Sequence, residues 1–146
     1  MQTNFSLAQL ADPDIAVPMV GIQHYPFPEY HTSRDDIRTV VPSRLDEAHQ
    51  AAMAIVDIIE SDYVPQRNFF GPLYLSRFGL YVDTHQDYDL HRKVWEVMQR
   101  LGIGQSVLNI AEEVGLPFWK VHNYLAQWEA QGLITRKPTN SFLRTR

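Results

Sequence analysis

Residues 106–134, SVLNIAEEVGLPFWKVHNYLAQWEAQGLI, decide the fold of the C-terminal half of this chain. Ser106 is a natural N-cap, and Val107, Ile110, Ala111 and Val114 recur at three- and four-residue spacing, which predicts a helix with one apolar side. Gly115-Leu116-Pro117 then turns the chain. A second helix follows through Val121, Leu125 and Trp128 and stops at Gly132, a natural residue just past a helix end. Ala111, Gly115 and Val121 lie four and then six residues apart, the spacing that helix-turn-helix packing requires. A small residue lets the helices approach, a glycine takes the left-handed turn, and a branched apolar residue fills the angle.

Upstream, Leu90, Val94, Val97, Met98 and Leu101 predict one more helix, ending near Gly102. Downstream, Leu133 to Arg136, a turn at Lys137-Pro138-Thr139-Asn140, and Ser141 to Leu143 read as a β-hairpin wing. Residues 85–146 are therefore expected to form a small winged helix-turn-helix. Its third helix would expose Phe118, Trp119, Lys120, His122, Asn123 and Gln127, with Arg136, Lys137, Arg144 and Arg146 near the wing. Trp119, Lys120, Asn123, Arg136 and Lys137 are the candidates for contact with nucleic acid or a protein partner. Asn and Gln can read adenine, and cations can neutralise phosphates. Against DNA, residues 85–146 carry a net charge of only +2, and Glu112, Glu113 and Glu129 lie nearby. DNA is thus the less favoured partner, and Phe118 and Trp119 read as anchors for packing or oligomerisation.

Residues 1–84 have a different character, with five Arg and eleven Asp or Glu, net −6. The whole chain of 146 residues is 45% hydrophobic and 21% charged, the balance of a globular protein, and it is long enough for one ordinary core or two small ones. No apolar run reaches the roughly 20 residues of a membrane helix, and no leader pattern opens the sequence, so a cytoplasmic location without membrane contact is expected. Zero cysteines exclude disulfides and thiolate metal sites. Any metal must be held by His and carboxylate.

Within 1–84, Ile15 to Ile22 (IAVPMVGI) reads as a buried strand, with Pro18 pointing to an edge or bulge. Residues 25–36, YPFPEYHTSRDD, form a proline-stiffened approach to Tyr30 and His31, a loop suited to presenting one metal ligand. Asp35 and Asp36 are candidates for orienting groups around it. Ser43 reads as the N-cap of a helix whose Leu45, Ala48, Ala52, Ile55, Val56 and Ile59 share a face. Strand, loop and helix do not bury their apolar faces alone, which predicts that further polypeptide covers them. Residues 62–83 read as an extended, aromatic-rich connector with one or two short strands. Its Phe69, Phe70, Tyr74, Phe78 and Tyr81 are expected to pack across a neighbouring sheet. His24 is a weaker candidate for a second ligand, and His49, His85, His91 and His122 read as ordinary polar residues.

Four stretches taken in order resemble one family: PFPEYHTSRDD, the helix from Leu45 into IIESDYVPQRNF, GPLYLSRFGLYVD, and NIAEEVGLPFWKVHNYLAQWEAQGLI. From about Ile15 to Lys137 the chain is similar to the C-terminal part of the aminopeptidase-like zinc hydrolases that carry a C-terminal winged helix. The resemblance implies a domain like that of the two-zinc aminopeptidases, in which paired cations polarise a carbonyl and acidify water while a Glu takes its proton. On that resemblance, His31 in Tyr-His-Thr-Ser-x-Asp matches the last zinc-ligand histidine. The other ligands and the Glu would belong to sequence before Met1. Gln23-His24 departs from the family, where a threonine-arginine pair is expected. The fold class expected is α+β: a partial aminopeptidase-like segment of strand, loop and helix over 1–84, then a winged helix-turn-helix over 85–146. The chain would be a truncated or split member, inactive alone, completed in trans by an upstream polypeptide or held as a homo-oligomer. The alternative is a stand-alone winged-helix module that binds DNA or protein.

Overall fold

The computed structural model describes residues 21–22 and 25–139. The chain divides into two compact units, Met1–Asp57 and Ile58–Arg146. The sequence reading placed the boundary at 84/85. That position falls inside the second unit, because the aromatic-rich connector is built into the helical core.

Among the described residues of the first unit, the chain passes through successive turns over 27–36 and a 3-10 turn, Ile37–Thr39, into helix α1, Pro42–Ser61. Proline opens this helix, in place of the Ser43 cap that the sequence suggested: the Leu45 N–H already bonds to the Val41 carbonyl at 3.3 Å. Pro at the first helical position loses nothing, since its missing N–H would have had no intrahelical partner. No residue of α1 is buried. His24 and the strand expected at Ile15–Ile22 lie outside the described residues, except for Gly21 and Ile22, which are not in a strand.

The second unit holds strand β1, Tyr63–Arg67, helices α2, Tyr88–Arg100, α3, Val107–Val114, and α4, Phe118–Ala130, and strand β2, Ile134–Pro138. Fold class is α+β, as expected. Helices α2 and α3 begin at side-chain caps. The Asp87 carboxylate accepts from the Leu90 N–H at 3.0 Å, and Ser106 Oγ accepts from the Asn109 N–H at 3.3 Å. Gly115 ends α3 at φ 71°, a backbone that only glycine adopts cheaply. There the Leu116 N–H reaches back to the Ala111 carbonyl at 3.0 Å. The apolar positions read from the sequence face one core: Val97, Val107, Ile110, Val121, Leu125 and Trp128 are fully buried.

The connector joins this core. Tyr63 and Leu80 are buried, and Phe69, Leu73, Leu75, Phe78 and Val82, with Ile58 from the last turns of α1, pack against it. The Tyr124 hydroxyl donates to the Leu80 carbonyl at 3.0 Å, and Asp62 accepts from the Leu108 N–H at 2.9 Å, capping α3 from outside the helix. Phe70, Tyr74 and Tyr81, expected to pack, are instead exposed.

The wing reading is corrected in one respect. Lys137 and Pro138, read as a turn, continue β2, and its partner among the described residues is β1. The two pair antiparallel with Tyr63 opposite Pro138 and Arg67 opposite Ile134. Both prolines sit where the ladder tolerates them. Pro138 ends its strand, and the Pro65 carbonyl turns away from β2 to accept from the Gly102 N–H at 3.3 Å. Ser141–Leu143, Arg144 and Arg146 lie outside the described residues.

Candidate functional site

In the first unit, three backbone bonds fold the His31 loop onto itself: Tyr30 N–H to Phe27 O at 3.3 Å, Thr32 N–H to Glu29 O at 3.0 Å, and Asp35 N–H to Thr32 O at 3.2 Å. The Thr32 hydroxyl adds a bond to the Glu29 carbonyl at 2.7 Å and accepts from the Arg34 N–H at 3.2 Å. The Thr and the residues around it are therefore spent on holding the turn. His31 occupies φ 60°, the left-handed region, where a non-glycine residue costs about 1 kcal/mol. That backbone turns the imidazole outward. Its ring lies 4.0 Å from the Tyr30 ring, and the residue is exposed. No hydrogen bond to the imidazole is seen among the described residues.

The two acidic candidates separate. Asp35 is exposed. Asp36 caps the 3-10 turn, accepting from the Arg38 N–H at 2.8 Å and from its guanidinium at 3.0 and 3.1 Å. The Arg38 side chain, and then its backbone N–H, hold the Asp36 carboxyl below the usual carboxylate range. A carboxylate so engaged is not free to orient His31. Among the described residues no cluster of three His, Asp or Glu is placed to hold a metal ion. A zinc site takes three or four ligands, so the fit here is to one ligand position, the His31 imidazole.

In the second unit most of the candidates on α4 and β2 are already committed. Lys120 reaches the Asp87 carboxylate at 2.9 Å. That carboxylate is held below its ordinary range first by the Leu90 N–H and then by Lys120. Arg136 pairs with Glu129 at 2.6 Å and lies 4.4 Å over the Tyr63 ring. Lys137 donates to Gln66 at 2.8 Å. Asn123 is exposed and Trp119 is 41% exposed, so these two are the candidates on α4 left open to solvent, beside Gln127. Phe118, expected outside, is 7% exposed and belongs to the core: as the first residue of α4 it faces back toward the turn.

Reading the sequence alone missed an aromatic cluster. His122 packs between Phe118 at 5.5 Å, Trp119 at 5.2 Å and Tyr63 at 5.7 Å, ring centre to ring centre. Burial pushes the Tyr63 phenol up to about 12. The Phe118, Trp119 and His122 spacing on α4 was visible. Tyr63 was not, since it arrives from the far side of the sequence through β1.

Among known proteins, a family described as a domain of unknown function, DUF4910, matches residues 3–62. No curated protein and no solved structure matches the chain. Among the described residues, no helix is long and apolar enough to cross a membrane.

Proposed function

We propose that this chain is the C-terminal part of an aminopeptidase-like zinc metallohydrolase, contributing one zinc ligand, His31, to a site whose other ligands and catalytic carboxylate come from a further polypeptide. Alone it does not hydrolyse peptides. The observation that carries this reading is α1. Over 20 residues it buries none, and Leu45, Ile55, Val56 and Ile59 stand 42–59% exposed along one side. An apolar stripe of this length is the face a helix lays against a sheet or another helix. The exposed imidazole of His31, in a loop held by its own backbone bonds and by Thr32, supports the same reading. A single imidazole binds zinc weakly, so occupancy waits on the missing partners.

Titration of Zn²⁺ into the purified chain, followed through the imidazole NMR signals, tests the ligand assignment. The account expects the His31 signals to move before those of His49, His85 and His91, and weak zinc uptake to disappear in His31→Ala. Uptake unchanged in His31→Ala would sink the assignment.

A second reading concerns the second unit, which we take as a winged helix-turn-helix interaction module. Lys120 and Arg136 are paired with carboxylates and Lys137 is bonded to Gln66, while Trp119 and Asn123 are exposed. That pattern suits a protein partner better than DNA. Duplex DNA at low salt should bind weakly or not at all. Tight, salt-dependent binding lost on Lys120→Ala and Asn123→Ala would reverse the choice.

A further inference from the structure

The second unit carries a groove of about 360 Å³ lined by Gln66, Arg67, Phe69, Phe70, Gly71 and the turn Leu101-Gly102-Ile103. Its volume is that of a small ligand site, and it is open to solvent along its length. Three observations give it a chemistry. Arg67, like Arg77, Arg92 and Lys137, pairs with no carboxylate among the described residues, but of these it alone lines the groove. Its guanidinium is nonetheless fixed: it stacks 4.2 Å over the Phe69 ring and donates from Nη2 to the Gly71 carbonyl. Phe69 in turn packs 5.8 Å from Trp128, so the platform is anchored in the core. An arginine held in this way has lost its side-chain freedom before any ligand arrives, and its Nη1 donors have no acceptor among the described residues.

The second observation is the lining. Phe70 is fully exposed and Ile103 is 65% exposed, and both line the groove. Ile103 stands between Gly102 at φ 82° and Gly104 at φ 88°, a turn that displays a branched apolar side chain to solvent. The third is Gln66, whose oxygen is taken by Lys137 and whose amide N–H groups remain to meet a carbonyl.

We propose that this groove binds the C-terminal residue of a peptide chain, its carboxylate on Arg67 and a bulky apolar side chain against Phe70 and Ile103. An oriented guanidinium suits a carboxylate, and the open end of the groove lets the rest of a chain continue outward. The site stands without reference to His31 or to zinc.

The test is amide NMR of the full chain with three probes: acetyl-Ala-Ala-Leu, its C-terminal amide, and 4-methylpentanoate. The acid tripeptide should shift the Phe70, Gly71, Gly102 and Ile103 amides at millimolar concentration, with the amide form at least about tenfold weaker. Arg67→Met should abolish the shift, and Ile103→Ser should weaken it several-fold. Both variants keep their native amide dispersion elsewhere, which separates lost binding from lost folding. Equal binding of acid and amide would overturn the carboxylate assignment. Binding of 4-methylpentanoate as tight as the tripeptide would overturn the peptide. No shift with any probe would overturn the site.

Discussion

Single residues in the second unit carry measurable weight. The Tyr124 hydroxyl is buried against the Leu80 carbonyl, and burial pushes its phenol up to about 12 from 10.0. Tyr63 behaves alike. A folded-state pKa above the unfolded one means stability intact below about pH 10 and lost as pH rises toward 12. Tyr124→Phe should cost about 1 kcal/mol at neutral pH and flatten the alkaline fall in a denaturant series. Asp87 works with the opposite sign. Its depressed carboxyl stabilises above the ordinary value of 3.8, and that contribution disappears as pH falls through the folded value. Asp87→Ala, which removes a helix cap and the Lys120 bond together, should cost about 1–2 kcal/mol at pH 7 and far less in acid. Gly102→Ala would place a Cβ 3.0 Å from the Arg67 Cβ at φ 82°. The expected loss is roughly 1–2 kcal/mol by thermal or chemical melting.

At the scale of elements, the helices of the second unit were legible because their signals are local. Ser106, Gly115 and the period of the buried residues lie within each helix or at its ends. The sheet was not legible, since β1 and β2 are separated by three helices and Pro65 argues against a strand when read alone. Its pairing is a tertiary outcome, set by Tyr63 entering the core and by the Gly102 N–H meeting the Pro65 carbonyl. Phe118 was misplaced for a similar reason: helical period alone does not say which face of the first turn meets the preceding element. α4 should prove the least replaceable element. Trp128→Ala removes its largest fully buried side chain and should cost about 3–5 kcal/mol, enough to unfold a unit of this size. Helix α1 should behave oppositely. Ile55→Gln together with Val56→Gln should leave the melting of the second unit within about 0.5 kcal/mol, because neither side chain is buried.

For the molecule as a whole, the two units differ in kind. The second has a core of its own, built from three helices, a two-stranded sheet and the connector. The first offers a stiff loop with an exposed histidine and most of a helix on which Leu45, Ile55 and Val56 stand exposed. Composition foreshadowed the contrast: the acidic N-terminal part and the near-neutral C-terminal part were read as separate modules, although the aromatic connector was assigned to the wrong one. That residues 25–36 form a turn-rich loop was legible from proline spacing. The commitment of Asp36 to Arg38 was not, because a two-residue side-chain return depends on backbone angles that sequence does not print. The central claim is that α1 awaits a covering polypeptide while the second unit is complete. Hydrogen exchange of the monomeric chain, read by mass spectrometry, tests this most directly. The account predicts that peptides spanning 45–57 exchange orders of magnitude faster than those of α2, α3 and α4, which should open only with global unfolding. Equal protection of 45–57 and α4 in a monomer would contradict it, since the apolar side of α1 would then already be covered.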